Sequence, residues 1–120
     1  MRVLLCLGLA VIAGGCGGIR SGLHIEPGST FRLGGEQRGA FRVDAFNPSG
    51  ATVQILEITA RRDTLAVVTL ARGQSASARF AAGSAALLVN ADSLEALLSL
   101  KITGDTHLGM SYSPDERRRP

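Results

Sequence analysis

The sequence has no tryptophan, one tyrosine, four phenylalanines and two cysteines in 120 residues. Each scarcity excludes something. Aromatics make up 4% of the chain, too few for the stacking platforms on which nucleic-acid bases lie. Charge does not restore that reading. The 13 basic and 10 acidic residues leave a net charge of +3, and the arginines are scattered rather than clustered into a basic stripe. Lys101 is the only lysine, which points to a coding bias, and no nucleic-acid partner is expected. Both cysteines, Cys6 and Cys16, lie near the start. Everything beyond Cys16 therefore folds by packing alone, without an internal disulfide. The missing tryptophan and cysteine pair also exclude an immunoglobulin domain held by its disulfide.

A long apolar run occurs at the start of the chain, MRVLLCLGLAVIAGGC. Arg2 supplies a positive leading charge, and Val3 to Ala13 give an apolar stretch of about 11 residues, the length of a signal-peptide core. A membrane-spanning helix needs roughly 20 such residues. The exit, Ala13-Gly14-Gly15-Cys16, resembles the lipobox of bacterial lipoproteins. The resemblance covers residues 1–16 only. It implies cleavage between Gly15 and Cys16, with a diacylglycerol joined by a thioether to Cys16 as the new N-terminus. Several acyl chains on one residue anchor firmly without a transmembrane helix. Gly17 follows the cysteine where aspartate would favour the inner membrane, so the resemblance implies an outer-membrane lipoprotein of the cell envelope. The alternative is an ordinary secretory cut near Ala13 or Gly15, which leaves Cys16 as a free thiol.

Beyond the leader, residues 16–28 are Gly/Ser-rich and read as a flexible lipidated tether, with Leu23-His24-Ile25 as a possible short edge strand. From Ser29 the texture changes to short apolar runs separated by turn residues. Phe41, Val43 and Ala45 alternate with Arg42 and Asp44, and Asn47-Pro48-Ser49-Gly50 is a turn by composition. Thr64 to Ala71 is nearly all apolar, as a central strand buried on both faces would be. Leu94 to Gly104 has two readings. As a strand it places Leu94, Ala96, Leu98, Leu100 and Ile102 on one face. As a helix, capped by Asp92 and Glu95, it groups Leu94, Leu97, Leu98 and Lys101. The strand reading is preferred, because turns recur at the spacing of an all-β domain. The expected fold is a single antiparallel β-sandwich over residues 29–114, jelly-roll-like or immunoglobulin-like, with about seven to eight strands. The alternative is an α+β domain with a helix near residues 93–101. The charged tail at 115–120 is expected to be disordered.

Chemistry is thinly represented. Asp105 and His107 are two residues apart and could ligate a metal, but a site needs three or four ligands and no other cluster supplies them. Asp105, His107 and Ser111 have the residue types of a hydrolytic triad, yet lie within one turn, whereas triad members converge from separate elements. No metal or cofactor is expected, and the protein is not expected to be an enzyme; a secreted hydrolase is the least favoured reading. The expected role is non-enzymatic binding, as an adaptor or assembly component held on the membrane by its lipid, with a protein partner in the envelope. The alternative is a small-ligand or carbohydrate-binding module. Such a module would use rings among Phe31, Phe41, Phe46, Phe80 and Tyr112, with Asp105, His107 and Tyr112 as binding candidates.

Overall fold

The computed structural model describes residues 18–114. Nine strands form: β1 (Ile19–Ile25), β2 (Thr30–Gly34), β3 (Phe41–Asn47), β4 (Val53–Ile58), β5 (Thr64–Leu70), β6 (Gln74–Phe80), β7 (Ala85–Asn90), β8 (Ala96–Gly104) and β9 (Met110–Ser113). They make two antiparallel sheets, one ordered β1-β8-β3-β6 and the other β5-β4-β7-β2-β9. This is the sandwich expected from the sequence, with no helix among the described residues.

The pairing has a simple rule. β1 pairs with β8, β2 with β7, β3 with β6 and β4 with β5. The chain is thus one long hairpin, with β4–β5 at its tip, wrapped so that successive pairs fall in alternate sheets. That is a jelly roll, closed at one edge by the extra strand β9. Every connection but β4–β5 passes from one sheet to the other.

Alternation explains which residues meet in the middle. In β3, Phe41, Val43 and Ala45 are buried while Arg42 and Phe46 are exposed. Across from β3 on β6, Phe80 stacks on Phe41 with ring centroids 5.1 Å apart. β8 buries Ala96, Leu98, Leu100 and Ile102 and turns Leu97, Ser99, Lys101 and Thr103 outward. The helical alternative for residues 93–101 fails here because β8 is a central strand, paired on both sides. A helix would group Lys101 with the leucines. The two residues expected to cap it are engaged elsewhere: Asp92 accepts a hydrogen bond from the Thr52 amide, and Glu95 faces His24 at 3.5 Å.

Two expectations are corrected. Thr64–Leu70 is the edge strand of the five-stranded sheet rather than a central one, with Leu65 and Val67 exposed. A register break opposite Ile55 and Leu56 leaves Val67 without a partner on β4, a bulge of the kind that blunts an edge against other chains. The second correction concerns the tether. Ile19–Ile25 is a strand in full register with β8, from Ile19 opposite Ile102 to Ile25 opposite Ala96. Gly18 already lies against β8, where a Cβ would meet the Ile102 carbonyl oxygen at 1.8 Å. Of the residues that suggested a spacer, Gly18 is the one whose missing side chain this close approach requires.

The crossings are fastened by buried amide side chains. Asn47 and Asn90 are both fully buried. The Asn47 side-chain NH2 donates to the Ala51 carbonyl at 2.7 Å and to that of Leu70 at 3.0 Å, and its oxygen accepts from the Ser49 amide. Asn90 repeats the arrangement: it donates to Leu94 at 2.8 Å and Ile25 at 2.9 Å, and accepts from the Asp92 amide. Each asparagine thus holds its own arch and the end of a second strand that leaves for the other sheet. Gln37 similarly joins the β2–β3 and β6–β7 connections, donating to the Ala81 and Ser84 carbonyls.

Replacing Asn47 by alanine strands two buried carbonyls and replacing Asn90 strands one buried and one partly buried. The changes should destabilise the fold by about 2–4 kcal/mol and somewhat less, respectively, in chemical denaturation, since an unsatisfied buried group costs roughly 1–3 kcal/mol. A loss below about 1 kcal/mol at both positions, within the range of an ordinary single hydrogen bond, would show that water replaces these bonds without penalty.

Candidate functional site

Gly15 and Cys16, the residues expected at cleavage and lipidation, lie outside the described residues, as does the tail at 115–120. The remaining candidates do not converge. Asp105 sits in the β8–β9 connection, where one carboxylate oxygen accepts from the Gly39 amide and the other from the His107 amide, both at 2.9 Å. These bonds, the His107 one first, hold the Asp105 carboxyl below the usual carboxylate range. Asp105 therefore staples the β8–β9 loop to the β2–β3 loop. The His107 side chain is 98% exposed, with Nδ1 3.5 Å from Asp105. His107 and Ser111 border the same open hollow, beside Arg32, Glu36 and Arg62, but no hydrogen bond joins them. Among the described residues no group of three or more His, Cys, Asp or Glu side chains is placed to hold a metal ion.

Tyr112 lies on β9 at the sheet edge and is 40% exposed. Its hydroxyl accepts from the Glu26 amide at 2.9 Å, tying β9 to the β1–β2 turn. It borders neither that hollow nor the one on the opposite sheet. Of the other rings, Phe41 and Phe80 are core, Phe31 is half-buried, and Phe46 is 41% exposed.

Phe46 marks a different place, the outer face of the four-stranded sheet. A hollow of about 830 Å³ crosses this face and is lined by all four strands. The register sets its residues in rows. One row reads Arg20, Lys101, Asp44, Ser77 across β1, β8, β3 and β6. The next reads Gly22, Ser99, Phe46, Ser75. Beyond the first row, Arg42 stands directly opposite Arg79. The face thus holds four cations and one carboxylate. Asp44 accepts from Ser77 and, at 3.0 Å, from Arg42 Nε; these bonds, Ser77 foremost, with the nearby charges of Arg42 and Lys101, lower its pKa and keep it ionised. Among the described residues, no ion pair involves Arg20, Lys101 or Arg79.

Directly opposed residues on neighbouring strands have Cβ atoms about 4.5–5.5 Å apart, and like charges so placed destabilise the sheet. Lys101 has the Asp44 carboxylate opposite it on β3, whereas Arg20, on the edge strand, faces Lys101 with no carboxylate across from it, an arrangement that an anion bound beside Arg20 relieves. The sequence reading missed this site. The Arg42/Asp44 alternation was visible, but Arg20 and Gly22 fell in a stretch read as tether, and register cannot be read from one strand alone.

Comparison with protein-family models, curated proteins and solved structures returned no match to this chain.

Arg20→Ser should raise stability at low salt by roughly 0.2–1 kcal/mol, as removal of one member of a like-charged cross-strand pair does. The gain should shrink as salt rises; an equal loss of stability instead would mean that Arg20 has a favourable partner. The lowered pKa values of Asp44, Asp92 and Asp105 make their contribution full at neutral pH, and it fades as pH falls through those lowered values. Thermal midpoints should accordingly drop below about pH 4, the ordinary aspartate range. Asp105→Asn should flatten that acid dependence, and His107→Ala, which keeps both amide bonds to Asp105 and removes only the imidazole beside it, should flatten it less.

Proposed function

We propose that the chain is a lipid-anchored envelope protein that acts by binding, with Cys16 as its anchor and the outer face of the four-stranded sheet as its working surface. The observation that carries this reading is the combination of two features. The first is a leader ending in Gly14-Gly15-Cys16. The second is a sandwich whose four-strand hollow is lined by cations, one carboxylate, hydroxyls and one exposed ring. The polar groups gathered at that hollow suit holding a ligand: arginine and lysine for charge and serines for hydrogen bonds, with Asp44 engaged by Ser77 and Arg42.

The position of β1 bears on how such a protein would sit. Three residue steps separate Cys16 from Ile19, which reach at most about 11 Å when fully extended. A lipid on Cys16 would therefore hold the sandwich close against the membrane, with Arg20 and the β1 edge nearest the attachment point. The expected outer-membrane placement, on the periplasmic or the outer side, follows from the resemblance of the leader and belongs to the same proposal.

Cys16→Ala should move the protein from the membrane fraction to the soluble fraction without changing its thermal midpoint. The mass of the wild-type N-terminal peptide should be that of a diacylglyceryl-modified Cys16. An N-terminus at Cys16 without added mass, or a Cys16→Ala protein that stays in the membrane fraction, would refute the anchor.

A further inference from the structure

The layout of the four-stranded face says what kind of ligand it would hold. Strands about 4.8 Å apart make this face some 14 Å across from β1 to β6, an elongated trough rather than a single-ion pocket. Two charged rows lie to one side, with Arg20 against Lys101, whose other neighbour is the Asp44 carboxylate, and Arg42 against Arg79. Beside them runs the row of Gly22, Ser99, Phe46 and Ser75. Small residues flank Phe46 on its own row, which leaves its ring uncovered. A Cβ built on Gly22 meets nothing within 4 Å, so the space above β1 is open. Ser75 and Ser99 offer hydroxyls on either side of the ring.

We propose that this trough binds a short acidic oligosaccharide, with a carboxylate of one sugar held between Arg20 and Lys101 and the apolar face of a neighbouring sugar on Phe46. The inference deepens the binding reading above and rests on it, though not on the lipid at Cys16. The pattern favours a sugar chain over an acidic protein segment. A protein interface needs a desolvated apolar centre, and the apolar side chains on this face are Phe46 and, one row on, Leu97, set among hydroxyls and charges. Hydroxyl groups lining a flat ring are the complement of a sugar, whose polar edges and apolar faces alternate. The paired cations add the requirement for negative charge and make the binding salt-dependent.

The test uses the full chain carrying Cys16→Ala, so that anchoring plays no part, and calorimetric titration with an oligomer of galacturonic acid. Binding is expected, weakening as salt is raised. Arg20→Ser with Lys101→Ser should reduce affinity at least tenfold. Gly22→Trp should do the same by filling the trough without altering charge; the unopposed space at Gly22 lets this variant fold, as its thermal midpoint would show. His107→Ala, in the hollow of the opposite sheet, should bind like the parent. Three results would overturn the proposal. A neutral oligosaccharide or poly-glutamate that binds as tightly as the acidic sugar, with Gly22→Trp blocking either, would leave the trough a binding site for another ligand class. Acidic sugar that binds all variants equally would remove it from the trough. Absence of binding by all three probes would overturn the ligand class and the binding reading of this face together.

Discussion

The buried amides of Asn47 and Asn90 are the constraint on which the rest of this molecule depends. A long hairpin wrapped into two sheets must cross the edge of its own core at nearly every connection, and each crossing leaves backbone carbonyls with no strand partner. Two asparagines resolve this in the same way, each donating to the fourth residue of its own arch and to the last residue of a strand arriving from elsewhere. The Asp92 carboxylate, accepting from the Thr52 amide at 3.0 Å, links the second arch to the first. Four crossings are thereby fixed at one end of the sandwich by three side chains. At the other connections Gln37 and Asp105 do comparable work.

Fixing the crossings fixes the register, and the register creates the candidate site. A shift of β1 against β8 by one residue would turn its side chains to the other face. Arg20 and Gly22 would then point into the core and Ile25 into solvent. The full burial of Ile25 and the bond from Asn90 to its carbonyl oppose such a shift. The positions of Arg20 opposite Lys101 and of Gly22 opposite Ser99 are thus consequences of packing on the far side of the same strands. The structure tolerates an unfavourable charge pair on one face because the apolar face of those strands dominates the energetics.

Much of the fold was legible in the residues. The alternation of Phe41, Val43 and Ala45 with Arg42 and Asp44, and the turn residues at regular spacing, gave an all-β sandwich. The strand reading of Leu94 to Gly104 holds from Ala96 onward, with Leu94 exposed in the bend before it. The errors have physical sources. Thr64–Leu70 has the composition of a central strand, but a β-branched apolar run looks the same at an edge, and only its place at the hairpin tip makes it one. Residues 19–25 contain serine and glycine, so local composition suggested a spacer. Their pairing with β8, some 77 positions away, is a long-range fact that no local window contains. The candidate site suffered most, because its groups come from four strands and meet only through the register. Asp105 and Tyr112 stood out in the sequence, yet the structure gives both of them stapling roles.

The central claim is that the cationic hollow of the four-stranded sheet, rather than the Asp105–His107 loop or the Tyr112 edge, is where this protein meets its ligand. Amide chemical-shift mapping by nuclear magnetic resonance during titration with an acidic oligosaccharide tests it residue by residue. The account predicts shifts concentrated at residues 20–22, 44–46, 75–77 and 99–101, one cluster on each of the four strands. Shifts concentrated instead at residues 105–112, with those four clusters unmoved, would contradict it.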